Sequence, residues 1–205
     1  MFSSMRPVEP GRGHCRLAAA VILIASACVP SNAATPVPLA PCLIGAIHLA
    51  SKMPLATLQG AIGRAFPGAE WTSGKAGGLF GSVVVSAGGE RLMTIAYLAR
   101  TPGRQVDHID LVSPRFQLAP GVMPGMSLTS RTALGAVRVE MNPTDGVEYI
   151  AAPAIGGTLS AWEQAGCPVQ LRAAVGSTVG AYAPGATDTE RRRPGARLGR
   201  LELDL

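Results

Sequence analysis

The sequence predicts an α+β fold, with one or two antiparallel sheets and short helices packed on one face. Three observations lead to this prediction. Hydrophobic residues make up 47% of the 205 residues, which is enough for a core in a single domain. Short segments in which apolar and polar residues alternate, as in half-buried strands, recur along the chain. Glycine and proline, 25 and 17 residues, separate these segments, and the apolar spacing of a helix interrupts them only briefly.

Residues 1–33 have the pattern of a signal peptide for export. Arg6, Arg12 and Arg16 make the start of the chain positive, and the apolar run 17–27 follows them. This run would extend only about 16 Å as a helix, which is too short to cross a bilayer core of about 30 Å. The pattern therefore predicts a periplasmic or secreted protein of a bacterium, and not a transmembrane one.

The leader sequence fits two alternative processing sites. Ser31-Asn32-Ala33 places small residues before a cut at Ala34, and Pro30 breaks the helix ahead of it. Alternatively, Ala25-Ser26-Ala27-Cys28 resembles a lipobox, and Cys28 would then be lipidated and anchor the protein in the outer membrane. In the lipobox, Ala25 stands where Leu is usual.

The net charge and the cysteine content indicate which class of partner and which cellular compartment to expect. The chain has a formal net charge of +5, which falls to +3 once the three arginines and one glutamate of the leader are removed. This weak charge argues against a nucleic-acid partner. Only Cys42 and Cys167 follow the leader, and in an oxidising compartment they are expected to form a disulfide.

The first half of the chain predicts a linker, a helix and four strands. Residues 34–41 are rich in proline and alanine and predict a linker, so the folded domain is expected to span 42–175. Leucine, isoleucine and phenylalanine at spacings of three and four predict a helix over 55–66, which begins after Pro54. Strands are predicted at 43–49, 79–86, 91–98 and 106–113, with a Gly88-Gly89 turn inside the hairpin.

The second half repeats this pattern loosely. A short helix over 128–134 and strands at 137–141, 147–151 and 169–175 are predicted. Met126-Ser127-Leu128 echoes Met53-Pro54-Leu55, which suggests a duplicated helix-and-hairpin unit; chance similarity is the alternative. Residues 176–205 are rich in Gly, Pro and Arg and predict a mobile segment. Alternating leucines at 201–205 predict a terminal edge strand, with a frayed tail as the alternative.

Few residues of the sequence suggest a catalytic or metal-binding role. His108 and Asp110 are two apart, so a strand would place both on one face, with Ser113 on the other. A small hydrolase using His108 and Asp110 is one hypothesis, but no nucleophile elbow accompanies them. The simpler interpretation places both side chains in solvent. No spacing predicts a metal site, and no cofactor is expected.

The glycine-rich stretch 68–76 is the remaining candidate for a site. Gly68–Ala76 has the wrong spacing for a phosphate-binding loop and lacks its hydroxyl residue. Trp71 in the same stretch is expected to be a partly buried anchor, with a ligand-contacting aromatic side chain as the alternative.

The segment Pro124-Gly125-Met126-Ser127-Leu128, ending at Leu134-Gly135, resembles the Gly-Met-Thr…Leu-Gly segment of small bacterial envelope lipoproteins, including the outer-membrane barrel assembly lipoprotein family. The stretch from Ile109 to Met126 also resembles uncharacterised exported proteins, some of them stress-regulated lipoproteins; this likeness spans about residues 44–175. Both resemblances imply a non-catalytic envelope protein, and neither supplies functional residues.

The sequence therefore favours an exported protein that works by binding another envelope protein or a cell-wall component. The loops 72–81 and 119–127 and the exposed strand edges are the expected contact surfaces, because loops on a rigid scaffold carry function most often. The alternatives are the His108–Asp110 hydrolase and an inhibitor of a periplasmic enzyme.

Overall fold

A computed structural model describes residues 35–74, 77–128, 135, 137–142, 147–175 and 197–205. The signal peptide, the lipidation site at Cys28, the short helix from residue 129 onward and the segment 176–196 lie outside these residues.

The described residues form strands and two helices. The strands are β1 (Val37–Ala40), β2 (Leu43–Ile44), β3 (Ile47–His48), β4 (Glu70–Ser73), β5 (Phe80–Ala87), β6 (Glu90–Leu98), β7 (Val106–Leu111), β8 (Phe116–Gln117), β9 (Arg138–Met141), β10 (Glu148–Ala151), β11 (Gln170–Val175) and β12 (Leu198–Asp204). The helices are α1 (Leu55–Ala65) and α2 (Pro153–Gln164). The chain is therefore α+β, as the sequence predicts.

The larger sheet is antiparallel throughout, in the order β4-β5-β6-β7-β12-β11-β10-β9. Strand β12 lies at its centre, where Leu203 pairs with Ile109 of β7 and with Leu171 of β11. The prediction of a terminal strand is confirmed, but the prediction that it is an edge strand is wrong. Its charged face suggested an exposed edge, but Asp204 pairs with His108 of β7 and Arg172 of β11, and Glu202 pairs with Arg200 of its own strand.

The two faces of this sheet differ. Ile109, Leu111, Leu201 and Leu203 are fully buried on one face. Both helices pack on this apolar face, which we call the helical face: α1 contributes Leu55, Leu58 and Ile62, and α2 contributes Ile155 and Trp162. The opposite, open face carries the alternate residues of the same strands, among them His108 and Asp110.

Residues 37–40 form a strand, although the composition of 34–41 predicts a linker. Val37 N donates to the carbonyl of Arg115 at 2.7 Å, and Pro38 O accepts from Gly45 N at 2.9 Å. These bonds make 37–40 a strand of a small second sheet, ordered β3-β2-β1-β8, in which Leu39 is buried. Proline is tolerated there because the neighbouring backbone groups carry the pairing.

The strand expected over 43–49 is divided at Gly45. This glycine has a φ of 58°, which turns the chain between β2 and β3 and makes a tight hairpin instead of one strand. The hairpin of β5 and β6 is confirmed, with Gly88 and Gly89 at φ values of 58° and 78° in the turn.

Helix α2 was not predicted. Its interior contains Gly156 and Gly157, which lower helix propensity and hide the apolar spacing. Pro153 stands in the first turn, where its missing N–H costs nothing, and burial of Ile155 and Trp162 stabilises the helix from outside.

Cys42 and Cys167 form a disulfide, as expected from the sequence, with their Cα atoms 5.5 Å apart. The bond joins the turn between β1 and β2 to the segment that follows α2. It thereby ties the small sheet to the second helix across 125 residues of chain.

Candidate functional site

His108 lies on the open face of β7 between two aspartates. Its Nδ1 is 2.6 Å from Oδ1 of Asp204, the residue opposite it on β12. Its Nε2 is 2.9 Å from Oδ1 of Asp110, two residues along its own strand. The predicted placement of His108 and Asp110 on one face is thus confirmed. Their side chains are only 23% and 26% exposed, so neither is the freely solvated group that the simpler interpretation expects.

The network continues through two arginines. Arg200 bridges two carboxylates: its Nε lies 2.9 Å from Asp110, and its Nη2 lies 2.5 Å from Glu202. Arg172 pairs with the second oxygen of Asp204, and its guanidinium lies over the ring of Tyr149, 5.0 Å from the centroid. Glu202 is almost completely buried, at 3% exposure.

The charges of this network balance when His108 is protonated. Three cations, His108, Arg172 and Arg200, face the three carboxylates. Burial alone lowers the pKa of His108, but hydrogen bonds to Asp110 and Asp204, and their charges, raise it to about 9. Burial raises the pKa of both aspartates, but His108 and the adjacent arginines outweigh it and hold both pKa values below the usual range.

The ion pairs of His108 argue against its role as the general base of a hydrolase. A general base must accept a proton, whereas a protonated imidazole with both nitrogens bound to carboxylates has no free lone pair. Ser113 lies elsewhere, with its Oγ 2.5 Å from Oε1 of Glu90 and accepting from the backbone N–H of Arg115. The sequence-predicted pair is therefore brought together, but as part of an ionic network.

The same residues have the donor types of a metal site. Ligand atoms of His108, Asp110 and Glu202 lie within 4.8 Å of one another. A cation would have to displace Arg200 from both carboxylates and remove the proton from His108, so the charge balance opposes it. His48, the other described histidine, is exposed on β3 of the small sheet.

We expect the stability of the protein to fall on the alkaline side. The pKa of His108 in the folded state, about 9, exceeds its ordinary value of 6.5. The stabilisation is therefore complete below pH 6.5 and is lost as the pH rises through 9. Its size is of order 2 kcal/mol, less than the full shift implies, because the network is partly solvated.

Urea unfolding of the wild type and of His108→Gln between pH 6 and pH 10 measures this effect. The wild type should lose stability over this range, and the variant, which cannot be protonated there, should show a much flatter profile. Parallel profiles would contradict the assignment of the ion pairs to His108.

A second site is a polar pocket of about 590 Å³ at the start of α1. Trp71 and Ser73 of β4, Val83 of β5 and Tyr97 of β6 supply its floor on the helical face. The wall contains the other lining residues, Leu55, Ala56, Gln59, Ala99, Thr101, Gly103 and Arg104. The lining thus combines two aromatic rings, hydroxyl and amide groups and one cation, with no carboxylate among the described residues. We call it the Trp71 pocket.

Gly81 holds the ring of Tyr97 in this pocket. The two residues pair across β5 and β6, and a Cβ on Gly81 would lie only 2.4 Å from Cζ of Tyr97. The ring therefore rests on the bare backbone of the opposite strand, which fixes its orientation. Arg104 covers it, with its guanidinium carbon 5.9 Å from the ring centroid.

The Trp71 pocket lies beside one of the two loops that the sequence selects as contact surfaces. Within 72–81, Leu79 and Phe80 are 57% and 45% exposed, unlike the other large apolar side chains described. Trp71 itself is half-buried, as the prediction of a partly buried anchor expects, and its contact with a ligand stays a prediction. The other loop, 119–127, is ordered: Val122 is buried and the carbonyl of Gly125 accepts from Arg197.

Sequence reasoning missed Tyr97 and Arg104. Tyr97 stands in an ordinary strand pattern, and Arg104 follows a turn. Only the bare glycine opposite Tyr97, once the hairpin register is known, marks the pair.

Comparisons of the chain with protein-family models, curated proteins and solved structures find no match. Among the described residues, no helix has the length and apolar character needed to span a bilayer. The resemblance to envelope lipoproteins stays a prediction.

Proposed function

We propose that the protein is a non-catalytic component of the bacterial envelope that binds a saccharide of the cell wall in the Trp71 pocket. The observation that carries this proposal is the lining: two aromatic side chains beside hydroxyl, amide and guanidinium groups, without a carboxylate. The function therefore remains binding, as the sequence favours, with the cell-wall component preferred over an envelope protein.

The chemistry of a sugar ring fits such a lining. One side of the ring presents C–H groups, which pack on the face of an aromatic ring, and its rim presents hydroxyl groups, which need hydrogen-bond partners. Gln59 and Ser73 offer such partners, and Arg104 offers a cation to an acidic sugar. Tyr97 is held in place before the ligand arrives, which lowers the entropic cost of binding.

The envelope location rests on the leader pattern and the disulfide. Disulfides persist outside the reducing cytoplasm, so the bond between Cys42 and Cys167 supports export. Cleavage before Ala34 would give a periplasmic or secreted protein, and lipidation of Cys28 would give an outer-membrane lipoprotein.

The test is co-sedimentation of the purified mature protein with peptidoglycan sacculi, and titration with soluble sacculus fragments. Gly81→Ala should displace the ring of Tyr97 and weaken binding about tenfold. Gly77→Ala is the matched control, because a Cβ there meets no atom within 4 Å. Trp71→Ala should weaken binding by a similar factor.

Two results would contradict the proposal. One is wild-type protein that does not bind the sacculi, and the other is equal binding by the wild type and a folded Gly81→Ala variant. Co-purification of a single envelope protein or enzyme, lost in Trp71→Ala, would instead favour the protein-partner and inhibitor alternatives. Hydrolysis of the sacculus that is abolished in His108→Gln would favour the hydrolase.

The duplication also stays a proposal. The order of the large sheet supports it, since β4 to β7 and β9 to β12 run from opposite edges toward the centre. Against it, the echo of the β5–β6 hairpin is β9 and β10, and α2 follows β10 where the first half has no helix after β6.

A further inference from the structure

A second cavity, of about 620 Å³, opens between α2 and the large sheet. Strands β10 and β11 share one register pair, Tyr149 with Ala174, and then separate, because the chain leaves β10 to form α2. The cavity occupies the resulting gap. Its volume is within the range of small-molecule sites in proteins.

The lining of this cavity is apolar with one cation. Ile150, Ala151, Ile155, Leu159, Leu171 and Ala173 supply aliphatic side chains. Arg172 is the charged residue among the described lining, and no carboxylate accompanies it. Asp204, which pairs with Arg172, lies outside this lining. Aliphatic groups beside a single cation suit a flexible apolar chain with an anionic end.

One N–H donor of Arg172 lacks a hydrogen-bond partner among the described residues. Its Nη2 is bound to Asp204, but its Nε is buried and has no hydrogen-bond partner among the described residues. Guanidinium offers five N–H donors, and a buried donor without an acceptor is unfavourable. A carboxylate oxygen brought to this side chain would satisfy that nitrogen.

We propose that this cavity binds a single-chain alkyl carboxylate, with its chain between α2 and the strands β10 and β11 and its head group at Arg172. This site is separate from the Trp71 pocket and does not depend on the function proposed for that pocket.

The two glycines of α2 provide the test. Gly156 lines the cavity and Gly157 does not, and a Cβ at either position meets no atom within 4 Å. Leucine at either position raises helix propensity by the same amount, so both variants should fold. Only Gly156→Leu puts a large side chain at the cavity.

The experiment is calorimetric titration of the mature protein with decanoate below its micelle concentration. Gly156→Leu should weaken binding about tenfold or more, and Gly157→Leu should match the wild type. Decyltrimethylammonium, with the same chain and the opposite charge, should also bind about tenfold more weakly than decanoate.

Three outcomes would overturn the inference: no binding of decanoate to the wild type, equal affinity of the two glycine variants, or equal affinity for the two amphiphiles. The last would show that Arg172 does not select the head group. Circular dichroism of all variants confirms that any loss is not a loss of fold.

Discussion

Replacing Cys42 and Cys167 together by serine is expected to lower the free energy of unfolding by about 4 kcal/mol. The disulfide closes a loop across a sequence separation of 125 residues, and a closure of this length removes much conformational entropy from the unfolded chain. It also holds the small sheet, whose strands are only two to four residues long, against the end of α2. Urea unfolding of protein made in an oxidising compartment gives the value.

Reduction of the wild type is the control for the serine substitutions. Reduced wild type and the double variant should unfold at the same urea concentration, because both lack the cross-link and little else differs. A loss below about 1 kcal/mol in both would contradict the loop-entropy argument.

The backbone of Cys42 adds a second comparison. Its φ is 55°, in the left-handed region that only glycine adopts without cost. A variant with Cys42→Gly and Cys167→Ser should therefore be about 1 kcal/mol more stable than the double serine variant.

Local pattern predicted the elements whose partners are close in sequence. The spacing of Leu55, Leu58 and Ile62 predicted α1, and Gly88-Gly89 predicted the hairpin, because each depends on neighbouring residues alone. Strand β12 and helix α2 show the limit. Alternation predicted that 201–205 is a strand, but its central position depends on pairing with β7, about 90 residues earlier in the chain. Tertiary burial of Trp162 outweighs two glycines in α2, which propensity does not reveal.

In the candidate sites, too, local sequence predicts some features, whereas others depend on strand pairing between distant parts of the chain. The side-by-side placement of His108 and Asp110 follows from strand geometry and was predicted. Asp204 and Arg200 reach them only because β12 pairs with β7, so the charge balance that decides their chemistry was not predictable. The Trp71 pocket likewise joins α1 to three strands, and only the proximity of Trp71 to a glycine-rich loop pointed toward it.

Replacing Arg200 by methionine is expected to destabilise the protein by about 3 kcal/mol. Asp110 and Glu202 lie directly opposite each other on β7 and β12, and like charges in this position repel. Arg200 contacts both carboxylates and neutralises the repulsion. Without it, Glu202 remains buried beside a second negative charge, at the seam where the two halves of the large sheet meet.

A matched control and a rescue separate this cause from a general loss of charge. Arg172→Met removes a cation from the same network, but its side chain is 40% exposed and His108 still serves Asp204, so the loss should be below about 1 kcal/mol. Adding Asp110→Asn to Arg200→Met should recover most of the lost stability, because the facing carboxylates are then no longer both charged. Urea unfolding at pH 7 of the wild type, Arg200→Met, Asp110→Asn and the double variant completes the cycle, and Arg172→Met is measured beside them. Equal losses in the two arginine variants, or no recovery in the double variant, would mean that the repulsion between Asp110 and Glu202 is not what Arg200 relieves.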